Sequence, residues 1–195
     1  MFFKRLVPAL ALTVFLTSCS AILDSAPNAA ERNVLSGREG ENGPVLVVKI
    51  DDTANARPQV GLEFADVVYI EQVEGGLTRL AAVFSSNIPV RIGPVRSARI
   101  SDIDLLAQYG HVAFAYSGAQ QKLLPVIAAA KLSDVGAMKR GPTYYETDPN
   151  RIQPYAMFLN AQTLMANEVS KATVIDPARN VGWNFSDELE NEGFE

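Results

Sequence analysis

Three arginines lie within nine residues of the sequence, on both sides of a Gly-Pro pair. Arg91, Arg96 and Arg99 belong to the segment 91–99, which ends directly before a predicted helix. Guanidinium groups match the oxygens of carboxylates and phosphates with two parallel hydrogen bonds. Two interpretations stay open at this point. The arginines converge on an anion, or they pair with acids of the same chain in a structural network.

Two acids, Asp51 and Asp52, follow a predicted buried strand, with Arg57 close behind. Ligand-binding groups gather at the carboxyl ends of strands in open α/β sheets. Adjacent carboxylates at that edge could hold a hard cation or a substrate hydroxyl. The alternative is a turn in which the acids bond their own backbone and Arg57 pairs with one of them.

A second pair of charged residues, Glu74 and Arg79, flanks the turn of a predicted β-hairpin. Glu71 and Glu74 point to opposite faces of a regular strand, so they are not predicted to work as a paired acid and base. Gly75-Gly76 between the strands suits a turn, because glycine adopts positive φ without side-chain strain.

The elements that must position these residues alternate between strand and helix patterns after the hairpin. We predict an α/β or α+β fold, with a single mixed-sheet domain flanked by helices and starting with a buried strand and a hairpin. Ser101 is predicted to cap a helix, and Pro125 should kink or shorten another. The predicted strands are 45–50, 66–73, 77–85, 111–116 and 155–159, and the predicted helices are 101–108, 119–131 and 161–171.

The composition excludes several kinds of site. The 195 residues contain one Cys and one His, which cannot form an intramolecular disulfide, a multi-cysteine metal site or a centre with two histidines. His111 opens an apolar strand and is interpreted as a structural residue. With 17 basic against 22 acidic residues and no basic block, nucleic acid is not predicted as a partner.

The N-terminus predicts the location of the protein. Lys4 and Arg5 precede an apolar stretch, 6–16, that is too short to span a bilayer of about 30 Å. The stretch leads into Leu-Thr-Ser-Cys19, which resembles the lipobox of bacterial lipoproteins. We therefore predict a signal peptide over 1–18 and lipidation of Cys19 with acyl chains of the palmitate type, two of which suffice for stable anchoring. An ordinary signal peptide with a chance cysteine is the alternative.

The rest of the chain divides into three predicted parts. Residues 19–43 lack hydrophobic periodicity and are predicted to be a lipidated flexible tether. Residues 44–182 form the predicted domain. Residues 183–195 are an acidic tail or the truncated start of a second domain.

Five segments of the predicted domain resemble the successive motifs of the YerB-like lipoproteins, a bacterial family with a domain of unknown function. The segments are 49–52 (Lys-Ile-Asp-Asp), 56–62 (Ala-Arg-Pro-Gln-Val-Gly-Leu), 65–69 (Ala-Asp-Val-Val-Tyr), 73–79 (Val-Glu-Gly-Gly-Leu-Thr-Arg) and 92–99 (Ile-Gly-Pro-Val-Arg-Ser-Ala-Arg). The resemblance covers roughly 44–180. It implies an extracytoplasmic, membrane-anchored protein with an α/β fold in a cell-envelope context, and it brings no established reaction.

The sequence departs from the family pattern in two places. Family members usually continue into a second, C-terminal domain, whereas this sequence ends soon after residue 182. Where the family commonly shows an Arg followed by Pro-His-Asn, this chain has Arg151 and Pro154 but neither the His nor the Asn. The resemblance implies that an activity depending on that His is missing here.

The leading hypothesis is a binding or scaffold lipoprotein that recognises a cell-wall component or an envelope protein through its arginines and acids, with no catalytic residue and no cofactor. The alternative is a metal-assisted hydrolase of wall polymer or phosphate esters, with Asp51, Asp52 and Glu74 around a divalent cation. The predicted ligand-binding residues are Asp51, Asp52, Arg57, Glu74, Arg79, Arg96, Ser97, Arg99 and Arg151.

Overall fold

Eight strands and four α-helices form the part of the chain that the computed structural model describes, residues 31–185. The strands are β1 (Leu46–Asp51), β2 (Val67–Gln72), β3 (Thr78–Phe84), β4 (Arg91–Ile92), β5 (Val112–Ala115), β6 (Leu132–Asp134), β7 (Tyr145–Thr147) and β8 (Met157–Asn160). The helices are α1 (Ser101–Ala107), α2 (Leu124–Ala129), α3 (Ala137–Arg140) and α4 (Ala161–Ser170). The predicted signal peptide, Cys19 and the acidic tail beyond residue 185 lie outside the described residues.

The main sheet has the strand order β2-β3-β1-β5-β6. β1 pairs antiparallel with β3 and parallel with β5, and the hairpin partner β2 forms one edge. All six residues of β1 are buried, as expected for an aliphatic strand in the middle of a sheet covered on both faces. A second antiparallel sheet has the order β4-β8-β7.

Each face of the main sheet carries its own hydrophobic core. Val48 and Ile50 point to the face that is covered by the second sheet and α4. Val45 and Val47 point to the opposite face and pack with residues of α1 and α2. Because side chains alternate along a strand, Lys49 and Asp51 continue the second face. The end of β1 therefore places polar residues where that core stops.

The predicted mixed fold is confirmed, and the predicted strands and the hairpin correspond to β1, β2, β3, β5 and β8. The predicted helix 119–131 is shorter than expected. It consists of a 3₁₀ turn (Gln121–Leu123) and α2, with Pro125 in the first turn, where the missing N–H costs no helical hydrogen bond. Ser101 does not cap α1. The capping position is Ile100, and the Ser101 hydroxyl donates to Glu71.

Residues 31–43 pack against the domain, which differs from the tether predicted over 19–43. Leu35 is buried in the core that contains α1. The side-chain amide of Asn33, also buried, donates to the carbonyl of Glu41 (2.8 Å) and the hydroxyl of Ser85 (3.2 Å). These contacts have no periodic signature, so the sequence pattern did not reveal them. In the described part of the chain, no helix has the length and apolar character that a bilayer crossing requires.

Candidate anion-binding site

The candidate site lies where β1 ends, and segment 93–99 forms its wall. The backbone N–H of Asp51 donates to Pro94 O (3.0 Å), and that of Arg96 donates to Lys49 O (2.8 Å). On its other side the segment is hydrogen-bonded to the residues that follow β5, since Ser117 N donates to Arg96 O (3.0 Å). These bonds hold the segment at the carboxyl edge of the β1–β5 pair, the edge where ligands bind in open α/β sheets.

Arg79 reaches this edge from β3, where it lies opposite Asp51 in the strand register. Its side chain is buried, and its Nη1 donates to Ser97 O (3.3 Å). Among residues 31–185, no carboxylate forms an ion pair with it. Burial and the positive charges of Arg99 and Arg96 lower the pKa of the guanidinium, and the weaker effects of Asp51 and Glu74 oppose them. Arg79 is thus a desolvated cation that forms no ion pair among these residues.

Arg96 is held by a buried acid. Its Nε lies 2.7 Å from Oδ2 of Asp51, a carboxylate that is almost fully buried. The other carboxylate oxygen of Asp51 accepts the backbone N–H of Thr53 (2.8 Å). The guanidinium carbon of Arg96 lies 6.0 Å from the ring centroid of Tyr155. Asp51 therefore neutralises and orients Arg96 while its own oxygens stay occupied.

Arg99 pairs with an exposed acid. Its Nε and Nη2 both lie 2.9 Å from Oε2 of Glu74, whose side chain is 62% exposed. A hydrogen bond from the backbone of Glu74 itself has the largest effect on the pKa of the Glu74 carboxyl, and the bond from Arg99 has the next largest. Both lower this pKa. Arg99 Nη1 also donates to the carbonyls of Ser97 (3.3 Å) and Ala98 (3.0 Å). An exposed ion pair of this kind is weak, so a competing anion can displace Glu74.

Arg79, Arg96 and Arg99 together form what we call the arginine cluster. Arg79 and Arg99 donate to the same Ser97 carbonyl oxygen, so their guanidinium groups are neighbours. Three cations share two carboxylate partners, Asp51 and Glu74. Within the cluster the guanidinium without an ion pair is that of the buried Arg79, on which Asp51 and Glu74 act only at longer range, while the adjacent Lys49 pairs with two carboxylates. The half-buried Ser97 hydroxyl has no hydrogen-bond partner in the described part of the chain.

A buried network supports the cluster from below. Lys49 Nζ lies 2.7 Å from Oε1 of Glu71 and 2.7 Å from Oδ1 of Asp102, and Lys49 and Asp102 are fully buried. The second oxygen of Asp102 accepts the backbone N–H of Arg99 (2.6 Å). Burial raises the pKa of Asp102 to about 6, against the opposing effect of Lys49. For Glu71, burial raises the pKa, but the ion pair with Lys49 and the hydrogen bond from Ser101 outweigh it and lower the pKa overall.

Sequence reasoning missed this network as a part of the site. One signal could have revealed it. Lys49 is a charged residue inside an otherwise aliphatic, buried strand, and a buried lysine requires a paired carboxylate. Its partners come from β2 and α1, which are remote in sequence.

Three other predicted site residues make contacts apart from the arginine cluster. Arg57, with 61% of its side chain exposed, pairs with Oδ1 of Asp52 (3.0 Å). The second carboxylate oxygen of Asp52 accepts the hydroxyl of Thr78 (2.7 Å). Arg151 donates to the backbone carbonyls of Ala56 (2.9 Å) and Pro58 (2.6 Å). These contacts hold the 52–58 loop in place.

The metal site of the alternative hypothesis is not formed. Its three acids each pair with a different arginine: Asp51 with Arg96, Asp52 with Arg57 and Glu74 with Arg99. Over residues 31–185, no three His, Cys, Asp or Glu side chains come together in a way that could hold a metal ion. The described structure therefore does not bring these three acids together around one point.

The family can now be assigned. The sequence model of the protein family described as "Protein of unknown function (DUF3048) N-terminal domain" matches residues 33–174. The chain belongs to this family. The segments of the arginine cluster and of β1 all lie inside the matched range, and the resemblance to YerB-like proteins is confirmed.

Two comparisons place the chain among DUF3048 proteins. It is 39% identical over 100 residues to "Putative lipoprotein YerB" of Bacillus subtilis (strain 168). This alignment covers 48% of this chain and 30% of that protein. It is also similar to the crystal structure of the YerB protein from Bacillus subtilis, with a TM-score of 0.65 and 23% identity over 75% of this chain and 53% of the other. The structural likeness confirms the fold. The chain aligns with about half or less of the length of these relatives.

Proposed function

We propose that this DUF3048 protein is a lipoprotein, anchored to the cell membrane through Cys19 on its extracytoplasmic face, that binds an anionic group of a cell-envelope ligand at the arginine cluster. The lipobox-like Leu-Thr-Ser-Cys19 supports the anchor, as does the name of the Bacillus relative. The ligand is a cell-wall component or an envelope protein. The proposed role is binding or scaffolding.

The observation that carries the binding role is the state of Arg79. A buried cation is costly unless it is paired, and Arg79 has one hydrogen bond to a carbonyl, two neighbouring cations and two acids, Asp51 and Glu74, that pair with other arginines. A ligand carboxylate or phosphate at this point supplies the ion pair that Arg79 lacks. The bonds it forms are charge-assisted and shielded from water, which makes them stronger than bonds at an open surface.

The acids around the cluster have a positioning role in this proposal. Asp51 fixes Arg96 from a buried position, and Asp102 fixes the backbone of Arg99. Glu74 occupies Arg99 from the solvent side. The Ser97 hydroxyl adds a neutral donor beside the cluster. An incoming anion therefore meets guanidinium groups that are already oriented, which reduces the entropy lost on binding.

Sedimentation with purified cell-wall sacculi tests the binding role. The full-length chain in detergent micelles is expected to co-sediment, and Arg79→Gln and Arg96→Ala are each expected to weaken binding at least about tenfold, the loss of roughly one charge-assisted bond. Arg38→Gln is the matched control, because it removes an equal charge from an exposed side chain. Equal sedimentation of Arg79→Gln and the unsubstituted chain would remove the proposed site.

Labelling of growing cells with radioactive palmitate tests the anchor. The chain is expected to carry the label and to fractionate with membranes. A Cys19→Ser variant should lose both properties, because it lacks the thiol that accepts the lipid. A labelled Cys19→Ser chain would contradict the assignment.

A further inference from the structure

A cavity of about 390 Å³ opens beside the arginine cluster, with Arg99 in its wall. This volume lies within the range of about 300 to 1,000 Å³ of small-ligand pockets. Half of its lining residues are apolar and half are polar. The cavity therefore offers a ligand both an apolar surface and charged contacts.

The apolar half of the cavity lining includes side chains that are exposed to water. Ile100 is 63% exposed and Val126 is 40% exposed, and both line the cavity above the buried Leu123. Single exposed apolar side chains are common on protein surfaces. Here they surround one concave space next to a cluster of cations, which is the arrangement expected of a site for a small amphipathic ligand.

The polar half contains groups with unused hydrogen-bonding capacity. Lys122 and the side-chain amide of Gln120 line the cavity, and neither has a side-chain partner among the described residues. An amide can donate to and accept from a peptide unit at the same time. Lys122 adds a second positive charge to the lining, which also contains the exposed Glu74.

We propose that this cavity binds the C-terminal end of a short peptide with small apolar side chains. Its free carboxylate displaces Glu74 from Arg99, the member of the arginine cluster that lines the cavity. The side chains pack on Ile100, Leu123 and Val126, and Gln120 pairs with the last peptide unit. This inference rests on the anion-binding role proposed above and names the ligand class for that site.

A polymer of phosphate groups fits these features less well. Its backbone would leave the apolar wall uncovered, and its further negative charges would meet Glu74 and a chain with a net charge of −5. A phosphate monoester also carries about −1.5 to −2 charge at neutral pH, whereas the cavity is lined by two cations, Arg99 and Lys122, and by the acid Glu74.

The probe is N-acetyl-trialanine with a free carboxylate, titrated calorimetrically into the full-length chain in micelles. Its C-terminal amide and inorganic phosphate are titrated in parallel. The acid is expected to bind at least about tenfold more tightly than the amide, since the amide loses the charge-assisted bonds to Arg99. Equal affinity of acid and amide, or tighter binding of phosphate than of the acid, would overturn the proposal.

Two variants test the geometry. Glu74→Gln removes the displaced competitor, so it is expected to bind the acid several-fold more tightly, whereas a purely structural Glu74 would predict weaker or unchanged binding. Val126→Trp fills the cavity and is expected to weaken binding at least about tenfold. Val174→Trp, at a side chain that is 62% exposed outside the cavity, is the matched control and should bind normally.

The outcomes separate this inference from the proposed function. If the peptide acid fails to bind while sacculus binding still depends on Arg79, only the peptide ligand is overturned. If sacculus binding is also independent of Arg79, the anion-binding role is overturned with it.

Discussion

Two arginines of this protein, Arg140 and Arg79, show how differently one side chain can be used. Arg140 donates from Nε and Nη2 to the two oxygens of the buried Glu168, at 2.8 and 2.9 Å. Thr173 also donates to Glu168 (2.8 Å). Burial raises the pKa of Glu168, but these bonds outweigh it and lower the pKa overall. Arg79 has no carboxylate partner within the described part of the chain and lies among other cations.

The difference separates a structural ion pair from a binding site. The Arg140–Glu168 pair joins α3 to the end of α4 and leaves neither carboxylate oxygen unpaired. The arginine cluster contains an arginine without an ion pair, Arg79, at the edge of a sheet, and another of its members, Arg99, lines a cavity. Removing a charge should therefore destabilise the first region and change ligand binding in the second.

The largest effect on stability is expected at the Arg140–Glu168 ion pair. Glu168→Gln removes the buried carboxylate to which the partly exposed Arg140 donates twice. This should lower the free energy of unfolding by about 3 kcal/mol, the lower end of the range for a broken buried pair. Urea denaturation measures the change. Glu146→Gln, which removes the exposed partner of Arg91, is the control and should cost no more than about 1 kcal/mol. Equal losses in the two variants would show that the Arg140–Glu168 pair stabilises the fold no more than an exposed ion pair does.

The next effect is a pH dependence that originates at Asp102. Its pKa is raised from 3.8 to about 6 by burial, so its contribution to stability is full below pH 3.8 and is lost as the pH rises through about 6. The free energy of unfolding, measured relative to Asp102→Asn, should fall by on the order of 2 kcal/mol between pH 4 and pH 7.

The titration of Asp102 can also be followed directly. The ¹³C resonance of its carboxyl carbon should move with a midpoint near pH 6, and a midpoint below about pH 4.5 would contradict the buried network. Asp104→Asn removes an exposed carboxylate from the same helix and controls for the loss of one charge.

A smaller effect on stability is expected at Arg79. Arg79→Gln loses one hydrogen bond to Ser97 O but relieves the repulsion from Arg96 and Arg99, so the free energy of unfolding should change by no more than about 1 kcal/mol. The same variant should lose sacculus binding. A loss of stability as large as that of Glu168→Gln would make Arg79 a structural residue like Arg140.

The smallest effect is expected at Arg57, whose guanidinium is exposed and pairs with Asp52. Arg57→Gln should change the free energy of unfolding by about 0.5 kcal/mol or less and leave sacculus binding unchanged. Weaker binding by this variant would extend the site from the arginine cluster to the 52–58 loop.

The sequence predicted much of this arrangement where the signals are local. The aliphatic run before Asp51 identified β1 and the acid at its end, and Gly75-Gly76 identified the hairpin that presents Arg79. The short strands β4, β6 and β7 were not predicted, since two or three residues are too few to show a period. Leu35 was missed because its burial depends on a packing contact that has no periodic signature.

The pairing within the site could not be predicted from the sequence. Arg96 and Arg99 are three residues apart, yet one meets the buried Asp51 and the other the exposed Glu74. Which arginine meets which acid is set by how segment 93–99 crosses the end of β1. Arg79 likewise lies between Asp51 and Glu71 in the strand register, yet Asp51 pairs with Arg96 and Glu71 with Lys49. Strand pairing alone does not determine this.

An acetate titration of the full-length chain in micelles at constant ionic strength, followed by the ¹H–¹⁵N resonances of the arginine side chains, tests directly whether the arginine cluster binds an anion. Acetate is a small monoanion that needs only the cationic site. Saturable shifts are expected for Arg79, Arg96 and Arg99, and no saturable shift is expected for Arg140. Shifts of the same small, non-saturating size at all four arginines would contradict an anion-binding site at the end of β1.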